Sequence, residues 1–262
     1  MDIIVCIKQV IDTGASIAIK DGAVDTEGLP RVVNPYDEFA IEEAVRLREK
    51  FPETTVTLLT LGPEGFKDTL RKGLAMGADR AVHLLDPAFD GLDTLGVATA
   101  LSKAIRTLQY DLILCGRQAV DDDMAQVGPA IAVLLDIPFV TVVTELKLNE
   151  AQDRAEVTRQ IEGGSEILEF PLPALLTCQK GLNEPRLPSL KGIMAAKKKE
   201  ITTLDAAAIG FDPELMGARA NRVREVELAL PPARTKGKIL EGDASQVSGQ
   251  LVKILRDEVK VI

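Results

Sequence analysis

The sequence has 262 residues, 46% of them hydrophobic, which is enough for a substantial core in one large or two small domains. Its 31 basic and 40 acidic residues give a net charge of −9, which argues against nucleic acid as a partner. There is no apolar run of about 18 residues, and the start has the pattern of neither a signal peptide nor a transit peptide, so we expect a cytoplasmic protein without a membrane span.

The first half of the chain alternates between strand and helix patterns. Strands are predicted at 3–10, 55–62, 81–85 and 111–116, with small hairpin turns at Asp21-Gly22 and Glu27-Gly28. Asn34 is predicted to cap a helix that begins at Pro35, and further helices are predicted at 63–77, 97–108 and 125–135. This alternation predicts a doubly wound, mostly parallel α/β sheet with right-handed crossovers.

From Phe139 onward the pattern changes. Extended segments at 140–148, 155–161 and 166–179 are expected to add antiparallel strands at one side of the sheet, with a tight turn at Gly163 and Gly164. Beyond about residue 187 the chain is basic and then thinly apolar, and a last helix is predicted at 244–259. Such a tail seldom packs alone, which favours packing on another subunit.

Few side chains are suited to catalysis. Cys6, Cys115 and Cys178 lie far apart in apolar stretches, as is typical of buried thiols, and no CxxC pair offers ligands for zinc or an iron–sulfur cluster. His83, the only histidine, belongs to a predicted strand and has no partners nearby for a nucleophilic set. Any redox chemistry must therefore be carried by a bound cofactor.

A ligand site is predicted at one edge of the sheet. Open parallel sheets bind ligands beyond the carboxyl ends of their strands, near the switch in strand order. Three prominent segments follow such ends, at 6–10, 61–63 and 116–127. A phosphate at the start of the helix after Asp123 would gain from free backbone N–H groups and the helix dipole.

The acidic residues Asp121, Asp122 and Asp123 complicate this interpretation. Their carboxylates repel a phosphate unless they point away, cap the helix or bind sugar hydroxyls, and a magnesium site is a further alternative. Neither the G-x-G-x-x-G pattern nor the P-loop pattern is present.

Four segments together carry a family resemblance. They are the stretch 157–177 with Arg159, Glu162, Gly163, Gly164, Glu166, Pro173 and Thr177; Asn34-Pro35-Tyr36-Asp37-Glu38; the run 116–123; and Asn183-Glu184-Pro185-Arg186 followed by Ala196-Lys197-Lys198-Lys199. In their order and their spread along the chain, these segments resemble the sequence motifs of the electron-transfer flavoprotein beta subunit family.

The resemblance implies a Rossmann-like fold of the adenine nucleotide alpha hydrolase-like type and a heterodimer with an alpha subunit that holds most of an FAD. It also implies an AMP molecule in this subunit. The AMP contacts would fall on Cys6, Asn34, Pro35, Tyr36, Asp37, Leu61, Gly116, Arg117, Gln118, Ala119, Val120, Asp121, Asp122, Asp123, Met124, Ala125, Gln126 and Val127. The protein would be an electron carrier and not an enzyme, passing electrons from acyl-CoA or related dehydrogenases to a quinone oxidoreductase.

One departure from the family bears on the nucleotide. Members that split electron pairs hold a second FAD in place of AMP, and their loop resembles Asp-Gly-Asp-Thr-Ala-Gln-Val-Gly. This chain keeps the second half of that pattern but has Asp122 where they have glycine and Met124 where they have threonine. We therefore favour AMP and keep the second FAD as the alternative.

The resemblance divides the chain into an α/β domain at 1–186, a partner recognition loop at 187–200 and an arm at 201–262 that packs on the alpha subunit. In the loop, Leu190, with Ile193 and Met194 beside it, would enter a pocket on the dehydrogenase. Taken alone, these three residues form one side of a short amphipathic piece and would be interpreted as core.

Two other functions compete with this one. A non-redox sensor module that binds an adenine nucleotide would explain residues 116–127, but neither the 159–177 segment nor Leu190. An ATP-using ligase or pyrophosphatase would need a Ser-Gly-Gly-x-Asp-Ser phosphate loop after the first strand, which this chain lacks.

Overall fold

A nine-stranded sheet forms the centre of the computed structural model, which describes residues 1–232 and 237–262. The strands of the chain are β1 (Asp2–Cys6), β2 (Gln9–Ile11), β3 (Ala18–Lys20), β4 (Ala23–Asp25), β5 (Arg31–Val33), β6 (Thr55–Leu61), β7 (Arg80–Leu84), β8 (Leu112–Gly116), β9 (Phe139–Leu148), β10 (Arg154–Ile161), β11 (Gly164–Pro171), β12 (Ala174–Cys178) and β13 (Ile201–Leu204). The helices are α1 (Pro35–Lys50), α2 (Phe66–Met76), α3 (Thr94–Ile105), α4 (Val127–Leu135), α5 (Leu190–Ala196), α6 (Pro213–Met216) and α7 (Ala244–Lys253).

The order of strands in the large sheet is β11-β10-β9-β12-β8-β1-β6-β7-β13. From β9 to β13 across the sheet all neighbours are parallel, and β10 and β11 add antiparallel pairs at one side. The predicted Rossmann-like, doubly wound and mostly parallel sheet is therefore confirmed, and β10 and β11 are antiparallel strands at one side as predicted. The prediction is wrong for the second half of the 166–179 segment, because β12 lies inside the sheet and pairs parallel with β8 and β9.

The two faces of the sheet are covered by different helices. Alternation along β1 places Ile3 on the face that α1 and α2 cover and Ile4 on the face that α3 and α4 cover. The predicted inward residues of α1, which are Ile41, Ala44 and Val45, are buried on the first face.

The first strand is shorter than its apolar run. It ends at Cys6 because Lys8 makes other hydrogen bonds: its N–H donates to the Asp37 carboxylate at 2.7 Å, and its carbonyl accepts from the N–H of Asn34 at 2.9 Å. The apolar pattern therefore continues through a break in the strand.

Two helices begin later than predicted. Residues 63–65 form a turn in which the N–H of Phe66 donates to the carbonyl of Pro63, so α2 begins only at Phe66. Ala125 has a φ of +53°, a left-handed conformation that an α-helix cannot contain, so α4 begins at Val127.

Two predicted hairpins are confirmed and one is wrong. Ile161 pairs with Gly164, so Glu162 and Gly163 form a two-residue loop, and the φ of +77° at Gly163 suits glycine. Asp21-Gly22 joins β3 to β4. Glu27-Gly28 forms a turn without a hairpin, because β5 pairs with β2 and not with β4.

Strand β13 is not predicted by the sequence pattern. It pairs with β7, and Ala206, Ile209 and Phe211 after it are buried on the face of α3 and α4. Residues 201–211 thus complete one edge of the sheet. The division of the chain at 186 and 200 stays a prediction.

From residue 212 onward, the predicted arm is mostly exposed along its described length. Beyond Gly217, none of the residues described up to 232 and from 237 onward is buried. The arm is fixed at its base, where the Asp93 carboxylate accepts from the N–H groups of Arg222 and Val223. α7 and the π-helical segment Ile254–Val259 occupy the predicted last helix.

None of the helices in residues 1–232 and 237–262 combines the length and the apolar character that crossing a membrane requires.

Candidate functional site

A cavity of about 310 Å³ lies at the carboxyl ends of β1 and β8. The chain runs from β1 to β6 and β7 on one side and returns to β8 on the other side of β1, so the strand order switches between β1 and β8. Ligands of open α/β sheets bind at such a switch point, and the volume lies within the usual range for small-molecule sites. A larger but more open cleft of about 620 Å³ lies beside α2, with Gln9 and Lys72 in its wall.

The buried carboxylate of Asp37 joins the segments that form the cavity. It accepts from the N–H of Lys8 at 2.7 Å, from the side chain of Asn34 at 2.9 Å and from the N–H of Gly116 at 3.1 Å. Burial raises the pKa of Asp37 to about 7, although these three donors act in the opposite direction. The group therefore holds the ends of β1 and β8 and the start of α1 together.

Asn34 occupies the predicted cap position, but its side chain does not cap α1. Its amide instead donates to the carbonyl of Gln118 at 2.8 Å, and its Oδ1 accepts from the N–H of Val120 at 3.2 Å. The capping prediction is wrong for the side chain, because these long-range partners in the loop after β8 take both of its polar atoms.

The loop after β8 has an unusual backbone. Asp123 and Ala125 have φ values of +52° and +53°, in the left-handed region that side chains other than glycine rarely adopt. Strained residues of this kind persist where the surroundings impose them and are frequent at ligand sites. Thr94 contacts the same loop, since its hydroxyl donates to Gln126 at 2.9 Å.

The acidic run is partly neutralised by Lys8. The ammonium of Lys8 lies 2.7 Å from Asp121 and 3.0 Å from Asp122. Burial lowers the pKa of Lys8, but these two carboxylates outweigh it and raise the pKa above its ordinary value. None of the three aspartates caps α4, whose cap residue is Gln126.

The first turn of α4 borders the cavity at Val127 and Gly128. No side chain caps this helix end, so its N–H groups stay available to a ligand. Gly128 packs tightly, since a Cβ there would lie 2.9 Å from the Thr177 side chain.

The structure brings together most of the residues that the sequence predicted for the cofactor. The cavity is lined by Cys6, Asn34, Asp37, Leu61, Gly116, Arg117, Gln118, Ala119, Asp122, Met124, Ala125, Gln126 and Val127. Pro35, Tyr36, Val120, Asp121 and Asp123 lie in the same segments but outside its lining.

Several lining residues were not predicted. They are Phe66, Leu92, Asp93, Thr94, Val97, Leu101, Cys115 and Gly128, whereas Ile7 and Lys8, which also line the cavity, lie in the predicted segment 6–10. Residues 92–94 come after the carboxyl end of β7. The rule that ligands bind beyond the carboxyl ends of parallel strands would therefore have indicated them, had it been applied to β7 as well as to β1, β6 and β8.

The predicted partner residues lie on α5, away from the cavity. Leu190 is 83% exposed, and Ile193 and Met194 are exposed as well, so the interpretation of these residues as core is wrong. The helix is attached through main-chain contacts: Arg71 donates to the carbonyls of Ala196 and Lys199, both at 2.6 Å. Their binding role stays a prediction.

The described side chains that line the cavity are suited to binding and orienting a ligand. The hydrogen bond with Cys6 and burial raise the pKa of the Cys115 thiol, which disfavours a thiolate there. His83 is buried in β7, with Nε2 2.8 Å from the carbonyl of Gly62. The fold and the cavity together define a Rossmann-like α/β protein with a small-molecule-sized cavity at its switch point.

Comparison with known proteins narrows this class. The family model described as "Electron transfer flavoprotein domain" matches residues 21–209. The chain is 40% identical over 263 residues to the electron transfer flavoprotein subunit beta of Bacillus subtilis (strain 168), covering 100% of both chains. It is 41% identical over 261 residues to the Caffeyl-CoA reductase-Etf complex subunit CarD of Acetobacterium woodii, covering 98% of this chain and 99% of the relative. Identity to the electron transfer flavoprotein subunit beta of Bos taurus is 38% over 242 residues, covering 91% of this chain and 92% of the relative. The chain therefore belongs to the electron transfer flavoprotein beta subunit family.

Gly116 offers a test of the Asp37 contacts. A Cβ at Gly116 would lie 2.8 Å from the backbone nitrogen of Asp37, so the Gly116→Ala variant must shift the backbone and lose the hydrogen bond to Asp37. We expect the free energy of unfolding to fall by about 1–3 kcal/mol in urea titrations. The control is Gly65→Ala, where a Cβ meets nothing within 4 Å. Equal stability of the two variants would contradict the role given to Asp37.

Proposed function

We propose that this chain is the beta subunit of a heterodimeric electron-transfer flavoprotein, which binds AMP at the switch point and supports an FAD held mainly by an alpha subunit. It shuttles electrons from dehydrogenases, such as the acyl-CoA dehydrogenases of fatty acid beta-oxidation, to a quinone oxidoreductase. The observation that carries the proposal is the cavity at the switch point, with the predicted nucleotide loop around it, in a full-length relative of beta subunits.

The cavity fits AMP chemically. Leu61, Phe66 and Val97 offer apolar surface for a flat base, and Arg117 and Gln118 offer polar side chains. The uncapped start of α4 offers backbone N–H groups to a phosphate. FAD supplies the redox chemistry when bound, while these residues of the chain bind and orient the nucleotide.

The exposed arm supports a role for an alpha subunit. α7 has no buried residue, and its Leu251 and Val252 are exposed. A free helix of this length is marginal in water, and apolar side chains in such an exposed position suit an interface. We infer that the arm packs on the alpha subunit.

The exposed side chains of α5 support a role in docking. Leu190 and Met194 lie among Lys191, Lys197 and Lys198, all exposed. Apolar anchors within a polar rim are typical of interface hot spots. The dehydrogenase is the partner we propose for this surface.

A second candidate function is a beta subunit with a second FAD in place of AMP. The residues Ala125, Gln126, Val127 and Gly128 match that branch, and the relative CarD is named as a subunit of a Caffeyl-CoA reductase-Etf complex. Asp122 and Met124 favour AMP, since both line the cavity where that branch has glycine and threonine.

The nucleotide content of the purified protein tests the choice between AMP and a second FAD. We expect one AMP and one FAD in each purified heterodimer, measured by chromatography after acid denaturation. Two FAD molecules and no AMP would move the protein to the electron-splitting branch. A colourless homodimer would instead support the non-redox sensor module.

Deletion of residues 231–262 tests the arm. Because no described residue in this stretch is buried, we expect the sheet domain to stay folded by circular dichroism while co-purification with the alpha subunit is lost. The milder variant Leu251→Asp should weaken assembly, and Gln250→Asp on the same helix is its control. A heterodimer unaffected by the deletion would rule out the arm as an interface.

Leu190→Ala tests docking. Truncation of a hot-spot anchor costs about 2 kcal/mol or more, so we expect flavin reduction by an acyl-CoA dehydrogenase to slow roughly 10-fold or more. The melting temperature should barely change, because Leu190 is exposed. Ile167→Ala, which truncates an exposed residue on β11, is the control. Unchanged reduction by the dehydrogenase would leave the docking site elsewhere.

A further inference from the structure

Lys8 links two segments at the opening of the cavity. Its backbone is fixed, since its N–H donates to Asp37 and its carbonyl accepts from Asn34. Its side chain reaches from the end of β1 to Asp121 and Asp122 in the loop after β8. The Lys8 side chain therefore forms an ion-pair bridge between the end of β1 and the loop after β8, the two strands on either side of the switch point.

This bridge lies where the cavity meets solvent. Lys8 and Asp122 both line the cavity, and their side chains are 40% and 41% exposed. Met124, another lining residue, is 41% exposed. Other lining residues, including Cys6, Asp37 and Leu101, are buried. The exposed part of the lining, which we call the mouth of the cavity, is thus formed by Lys8, Asp122 and Met124, with Ala125 and Gln126 beside them.

We propose that the ion pair between Lys8 and Asp122, supported by Asp121, closes this mouth and selects a mononucleotide over a dinucleotide. The inference rests on the proposed function, because it concerns which nucleotide occupies the cavity.

Charge at the mouth is the physical reason why a mononucleotide is favoured over a dinucleotide. A mononucleotide places its one phosphate inside the cavity, whereas the second phosphate of a dinucleotide must pass the mouth. While Lys8 stays paired, its side chain blocks that passage. When Lys8 turns to the phosphate, Asp121 and Asp122 lose their counter-ion and repel the incoming charge. A dinucleotide is disfavoured in both arrangements.

The rest of the loop keeps the bridge in place. Val120 is held by Asn34, and Gln126 is held by Thr94. Asp122 is held as well, because its Oδ1 accepts from the N–H of Met124 at 3.0 Å while its Oδ2 faces Lys8.

A double variant separates the ion pair from the net charge of the loop. Lys8→Met with Asp122→Asn removes the bridge but removes one charge of each sign, so the net charge at the mouth is unchanged. The matched control is Lys72→Met with Glu38→Gln, which removes an ion pair of 2.6 Å whose lysine is also 40% exposed. Purified heterodimers are equilibrated with mixtures of AMP and FAD, and the retained nucleotides are quantified after denaturation.

We expect the double variant to raise the retention of FAD relative to AMP in the beta subunit by roughly 3- to 10-fold, the effect of two partly exposed ion pairs. The control should keep the wild-type ratio. In the wild-type protein, raising the salt concentration should shift the ratio in the same direction, because salt screens the bridge. The double variant should lack this salt effect.

A double variant with the wild-type ratio would overturn the role of the bridge, while AMP in the wild-type protein would still support the proposed function. A wild-type heterodimer that holds FAD in this cavity would instead overturn the choice of AMP.

Discussion

The cavity depends on a single buried carboxylate. Asp37 accepts hydrogen bonds from Lys8, Asn34 and Gly116, which belong to segments far apart in sequence, and it thereby joins all three. The cost of burying this group is offset by three donors, two of them backbone N–H groups that would otherwise be unsatisfied. Through Lys8 and Asn34, the same contact also fixes the loop after β8. The arrangement of the segments around the candidate site thus depends on how one carboxylate is satisfied.

Much of the fold could be predicted because its signals are local. Buried parallel strands are continuous apolar runs, and the helices between them begin and end at proline, glycine or capping residues. The errors arise where a contact between distant residues, or an unusual backbone conformation, decides where an element begins or ends. Strand β1 ends at Cys6 because Asp37 captures the N–H of Lys8, and α4 begins late because Ala125 is left-handed. β13 has four residues, part of them exposed, and only its pairing with β7 makes it a strand.

The site was predictable in outline for a related reason. The carboxyl ends of β1 and β8 meet at the switch point whatever their side chains, so the sequence order of strands locates the site. The partners of each side chain do not follow from that order. Asn34 resembles a helix cap in sequence, yet it binds Gln118 and Val120, more than 80 residues away. The acidic run resembles a cap or a metal site, yet two of its members pair with Lys8.

The two surfaces proposed for partners differ in how they are held. Arg71 of α2 holds α5 by donating to the carbonyls of Ala196 and Lys199. Gly192 of α5 packs against the backbone of Ala75, with no room for a side chain. Its exposed apolar residues are therefore held in place before any partner binds, which lowers the entropy cost of docking. Beyond residue 211, the arm is held near Asn221 and has no buried residue after it in the described part. An ordered docking helix suits brief encounters with a dehydrogenase, whereas an arm that gains its packing from a partner suits a permanent subunit interface.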